Sequence, residues 1–113
     1  MSKVLVIDDD PMILRMAGFI LKKGGHTAVS AQSGQQGLDI VSGDDIDFVF
    51  IDCEMPGMSG FETLEKLKAQ CGTPVCMMTG TLTESTREKA LALGALDCIG
   101  KPINAQQMLS VIK

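Results

Sequence analysis

With 113 residues, 45% of them hydrophobic and 21% charged, the chain has material for one globular core and not for two. Its net charge of −4, from 10 Lys plus Arg against 14 Asp plus Glu and with no basic stripe, argues against direct nucleic-acid binding by this domain. No apolar run approaches the roughly 20 residues of a membrane span, and "MSKVLVIDDD" meets three acids before any signal-peptide core, so a cytoplasmic protein with no membrane association is expected.

Short apolar runs alternate with amphipathic stretches along the whole chain. "KVLVID" (3–8) reads as a strand. A helix follows: Asp10 can cap it, Pro11 suits its first turn, and Gly24 and Gly25 stop it. "HTAVSA" (26–31) is a second strand, with His26 expected at the surface. Ser33 can cap a second helix through "GQQGLDIVS", weakened by its glycines. "FVFID" is a third strand, continuously apolar until Asp52 and followed by a loop built on Pro56, Gly57 and Gly60. "FETLEKLKAQ" places Phe61, Leu64 and Leu67 on one helical face.

"PVCMMT" (74–79) is the fourth strand, opened by Pro74. "ESTREKALALG" is a helix with Leu91 and the alanines expected inward, ended by Gly94. "LDCIG" is the fifth strand, broken by Lys101-Pro102, and "NAQQMLSVIK" is a short last helix. Met12, Met16, Met77, Met78 and Met108 fall at core-like positions, and Met55 and Met58 flank the loop after Asp52. Cys53, Cys71, Cys76 and Cys98 form no CxxC pair and have no nearby histidine cluster, so reduced, structural thiols are expected.

Five strand–helix units in succession predict an α/β fold: a doubly wound parallel sheet with helices on both faces, in one domain spanning 1–113. In such sheets the site lies beyond the carboxyl ends of the strands. Those ends carry Asp8 and Asp9, Asp52, Thr79 and Lys101: three carboxylates, a hydroxyl and an ammonium. Like charges about 4 Å apart repel by roughly 4 kcal/mol at an effective dielectric near 20. A hard divalent cation relieves that repulsion, and all-oxygen ligands suit Mg²⁺, with Mn²⁺ as the alternative. Asp52 could then serve both as ligand and as nucleophile toward phosphorus, with Lys101 and the Thr79 hydroxyl meeting phosphoryl oxygens.

These motifs resemble, in order and over essentially the whole chain, the receiver domain of two-component response regulators, of the chemotaxis-regulator-like kind. "VLVIDDDP" is similar to its first-strand acid pair, "VFIDCEMPGMSG" to its phosphoacceptor loop, and "CMMTG" and "CIGKP" to the segments that supply the hydroxyl and the lysine. The resemblance implies a flavodoxin-like sheet of order 2-1-3-4-5. It makes Asp52 the phosphoacceptor and Thr79 and Lys101 its catalytic partners. Asp9 and Asp52 would bind Mg²⁺ directly, joined by the backbone carbonyl of Glu54, with Asp8 acting partly through water. The peptide bond before Pro102 is often cis in that family.

It implies a phosphoacceptor switch rather than a turnover enzyme, one that catalyses its own phosphorylation and dephosphorylation. The donor would be a sensor histidine kinase or a histidine phosphotransfer protein. The reader would be a downstream effector or a fused output domain, and phosphorylation-dependent dimerisation is compatible with the pattern. The short last helix suggests a chain cut from a longer regulator or hybrid kinase. One departure stands out: the position three before the lysine, often aromatic in the family, is Cys98, so an output switch that needs the ring is not expected. Rival readings fit less well. A small phosphohydrolase would use Glu54 as second acid but lacks a cap insertion, a non-phosphorylated interaction module has no need of the full acid, Thr and Lys set, and flavin binding would put phosphate against a run of acids.

Overall fold

Apolar strands buried on both faces need helices above and below, and the computed structural model, which describes residues 2–112, has that layering. The elements run β1 (Lys3–Ile7), α1 (Pro11–Lys23), β2 (Thr27–Ala31), α2 (Gly34–Gly43), β3 (Phe48–Asp52), α3 (Gly60–Gln70), β4 (Val75–Thr79), α4 (Glu84–Ala92), β5 (Asp97–Gly100) and α5 (Ala105–Val111). All neighbouring strands are parallel, in the order β2-β1-β3-β4-β5. This is the doubly wound sheet expected from the sequence. Every residue of β3 and β4 is buried, whereas edge strand β2 buries only Ala31 fully.

The period of two along the strands divides the core. Val4 and Val6 with Phe48, Phe50 and Met78 meet Leu14, Ala17, Ile20 and Leu21 of α1 and Met108 of α5. Leu5 and Ile7 with Val49, Ile51 and Met77 meet Leu38 of α2, Leu64 and Leu67 of α3 and Ala90 of α4. Helix starts follow local chemistry. The side chains of Asp10, Ser33, Ser59, Thr83 and Asn104 each accept a hydrogen bond from a first-turn amide. Gly24 caps α1, and the Lys101–Pro102 bond is cis. The expected last helix included Lys113, which lies outside the described residues.

Two inward assignments are corrected. Met12 and Met16 are exposed, at 65% and 41%, because the stripe of α1 at 14, 17, 20 and 21 already faces the sheet and leaves 12, 16 and 19 on the outer side. Leu91 and Ala92, also expected inward, are exposed for the same reason: Ala90 is the buried residue of α4, and the next two residues lie about 100° and 200° further round the helix. Met77, Met78 and Met108 are fully buried, as expected. His26 is half-buried, its Nδ1 accepting from the Ser2 amide. Cys53, Cys76 and Cys98 are buried, Cys71 is half-buried, and all four thiols are free.

The loop after Asp52 turns back so tightly that α3 begins against the strand it has just left. The Gly60 amide donates to the Cys53 carbonyl at 3.1 Å. A Cβ on Gly60 would lie 2.0 Å from the Asp52 carbonyl oxygen and 2.7 Å from the Cys53 Cα, both backbone atoms that cannot swing aside. Gly60→Ala is therefore expected to cost about 3 kcal/mol or more. Urea denaturation would read this as a lower midpoint, and an unchanged midpoint would show that the loop gives way freely.

Candidate functional site

Strand alternation decides which of the two adjacent acids turns inward. Asp8 continues β1, with its amide donating to the Ala31 carbonyl at 3.0 Å, and is fully buried; Asp9, one step on, is exposed. Asp52 ends β3 at 2% exposure, and the neighbouring amide of Cys53 donates to Met78 of β4. Thr79 ends β4, and the Lys101 amide donates to the Thr79 carbonyl at 2.8 Å, tying the end of β5 to it. The five candidate residues thus reach one edge of the sheet, where the strand order changes direction.

The Lys101 ammonium sits between two acids, 2.8 Å from Asp8 Oδ2 and 3.1 Å from Asp52 Oδ1. Asp8 Oδ1 accepts from the Asp10 amide at 2.9 Å, and Asp52 Oδ1 from the Glu54 amide at 3.3 Å. Burial pushes the Asp52 carboxyl up to about 6, reinforced by the charge of Asp8 and opposed by Lys101. Burial works against the Lys101 charge, but contact with Asp8 and Asp52 prevails and raises its pKa. Its ammonium therefore stays charged at neutral pH.

One ammonium does not balance three carboxylates. Asp8, Asp9 and Asp52 each bring an oxygen within 4.8 Å of the others, and Asp8 Oδ2 is buried without a hydrogen bond, its contact with Lys101 its only compensation among the described residues. A crowded, all-oxygen, under-neutralised cluster fits a hard divalent cation.

One feature escapes the sequence. The Glu54 side chain turns toward β4: Thr79 Oγ1 donates to Glu54 Oε2 at 2.7 Å, and the Gly80 amide donates to Oε1 at 3.2 Å. The Thr79 hydroxyl in turn accepts from the Thr81 amide at 3.1 Å. Cys98, three residues before Lys101, is buried at 1% exposure beside Met77 in the core layer covered by α2, α3 and α4.

Comparison with known proteins identifies the family and the fold. Residues 4–113 match the family model of the response regulator receiver domain. The chain belongs to that family. As a receiver, it is 34% identical over all of its length to the transcriptional regulatory protein CpxR of Escherichia coli and 33% identical to CpxR of Klebsiella pneumoniae, in each case over 48% of the relative. The receiver thus spans about half the length of these curated relatives. Among solved structures it resembles the Vibrio cholerae chemotaxis protein CheY4, with a TM-score of 0.92 and 29% identity over 98% of this chain and 95% of that one. A receiver domain protein from Clostridium thermocellum gives 0.91 and 31% identity over 99% and 91%. The flavodoxin-like, two-component-receiver fold read from the sequence is therefore established. Among the described residues no helix is long and apolar enough to cross a membrane.

Proposed function

We propose that this receiver is a phosphoacceptor switch of a two-component phosphorelay, with Asp52 as the acceptor. The observation that supports it most is the placement of one buried carboxylate at a strand end against a lysine ammonium, with two further acids within reach. An Asp52 oxygen would attack the phosphorus of a phosphohistidine on a sensor kinase or histidine phosphotransfer protein. A P–O bond forms as the P–N bond breaks, and the freed imidazole keeps the nitrogen electron pair. Lys101 would hold phosphoryl charge as a point donor, and the Thr79 hydroxyl would donate to a phosphoryl oxygen once turned toward it. Asp8, Asp9, Asp52 and the Glu54 carbonyl would hold Mg²⁺, or Mn²⁺ in its place, which when bound neutralises phosphoryl charge and orients the donor. Hydrolysis then returns the Asp52 carboxylate and inorganic phosphate, so the domain acts on itself and is not a turnover enzyme.

The added group brings nearly two negative charges. Movement of Thr79 would carry the Gly80–Glu84 loop and bias the face made by α4, β5 and α5. That face would be read by a downstream effector, by a fused output domain or by a second phosphorylated copy, in the cytoplasm and without nucleic-acid contact by the receiver itself. The test is transfer from a labelled phosphohistidine on a histidine phosphotransfer protein. Label that moves to the receiver as a hydroxylamine-sensitive acyl phosphate supports the reading, and label that stays on the donor despite Mg²⁺ and a folded receiver contradicts it.

Glu54 and Thr81 are both exposed and both hydrogen-bonded to the buried Thr79 hydroxyl, and in the family pattern these positions would flank the approach to Asp52. Substitutions there are expected to change the rate of phosphoryl loss, by roughly threefold or more, further than they change the phosphorylation yield. Decay followed after removal of the donor checks this, and equal decay rates across Glu54→Gln, Thr81→Ala and the parent would refute it.

A further inference from the structure

The carboxylate of Glu54 occupies the hydrogen bonds that an acyl phosphate on Asp52 would need. The Thr79 hydroxyl has a single proton, and it is given to Glu54 Oε2 at 2.7 Å; one of its lone pairs accepts from the Thr81 amide at 3.1 Å. The Gly80 amide is committed to the other oxygen of the same carboxylate. Thr79 itself is 1% exposed, so its hydroxyl has no water to turn to, whereas Glu54 is an exposed side chain that can swing away. Its carboxylate pairs with no cation among the described residues. An anion held there by neutral donors alone stands in for another anion.

We infer that Glu54 is a built-in stand-in for the phosphoryl group, a positioning residue that holds Thr79 and Gly80 in the resting receiver and must release them before they can serve a phosphoryl group on Asp52. Two consequences separate this latch from simple charge repulsion at the mouth of the site. First, the loop that begins at Gly80 is held by Glu54 in the resting state, so loss of the carboxylate changes the surroundings of Thr79, Gly80 and Thr81 with no phosphoryl group present. Second, Glu54 competes with a phosphoryl analogue through the Thr79 hydroxyl. Its effect therefore depends on that hydroxyl.

The inference rests on the phosphoacceptor reading, and the experiment keeps the two apart. Beryllofluoride with Mg²⁺ serves as the non-hydrolysable phosphoryl probe, titrated into ¹⁵N-labelled parent, Glu54→Ala, Thr79→Val and the double variant, with amide spectra recorded before and after. Glu54→Ala is expected to shift the Gly80 and Thr81 amides before any probe is added and to tighten beryllofluoride binding by roughly three- to tenfold. In the Thr79→Val background that gain should fall below roughly twofold. Tightening of the same size with and without the Thr79 hydroxyl would mean that Glu54 acts by charge alone and would overturn the latch, as would unshifted resting amides. If the folded parent and all variants fail to bind beryllofluoride with Mg²⁺, the phosphoacceptor reading itself falls, and the latch falls with it.

Discussion

Replacing Asp52 with Asn is expected to stabilise the resting protein while removing its capacity to be phosphorylated. In the folded chain Asp52 holds its proton up to about pH 6, whereas in the unfolded chain it releases it near 3.8. Between those values the folded state binds more protons, so the Asp52 contribution to stability falls as pH rises through that window. Each pKa unit corresponds to about 1.4 kcal/mol. Water reaching the cluster past the exposed Asp9 screens part of this, and we expect Asp52→Asn to exceed the parent by about 2 kcal/mol at pH 7 in metal-free buffer. At pH 4 the two should be nearly equal, because a protonated Asp and an Asn present similar neutral groups. Urea unfolding at both pH values measures the difference, and a gap that stays constant with pH would show that Asp52 carries no burden of charge. Mg²⁺ should narrow the gap by stabilising the parent more than the variant, which lacks one of the carboxylates that would hold it.

Removal of Lys101 should act in the opposite direction. Its ammonium lies 2.8 Å and 3.1 Å from two buried acids, and its side chain is only 19% exposed. Lys101→Met keeps the length of the stem and deletes the charge, leaving Asp8 and Asp52 facing each other unpaired. Breaking such a contact costs about 3–5 kcal/mol when fully buried; the partly open position of Lys101 suggests about 2–3 kcal/mol at pH 7. The raised pKa of Lys101 keeps it charged throughout the range from pH 4 to 9, so the pH dependence of the loss belongs to the acids. The deficit should shrink as pH falls through about 6, where a proton on Asp52 takes over the task of the ammonium. A deficit that grows on acidification would mean that Lys101 stabilises the fold by packing rather than by charge.

Much of this was legible because the fold repeats one local rule. Continuous apolar runs at 4–7, 48–51 and 75–78 could only be central strands, and Asp10, Ser33 and Pro11 mark helix starts by chemistry that needs no tertiary context. Where each strand stopped, a polar residue stood out against its apolar predecessors, which is why Asp8, Asp52, Thr79 and Lys101 could be collected before their distances were known. The outward stripe of Met12, Met16 and Phe19 was harder to read, because α1 is apolar around most of its circumference and composition does not choose which stripe meets the sheet. Adjacent acids pose a similar difficulty: only the register of β1 turns Asp8 inward and Asp9 outward. The engagement of Glu54 with Thr79 depends on a side chain crossing from the end of β3 to the end of β4, a tertiary fact with no local signature. The close approach of Gly60 to Asp52 is of the same kind, although the Pro-Gly loop announced that a tight turn was needed.

The most direct test is intact mass after incubation with a small-molecule phosphodonor and Mg²⁺, beside Asp52→Asn treated identically. We predict a gain of one phosphoryl group in the parent, dependent on Mg²⁺ and absent from the variant. A gain of the same size in Asp52→Asn, or one indifferent to Mg²⁺, would contradict the assignment of the chemistry to Asp52 and its neighbouring acids.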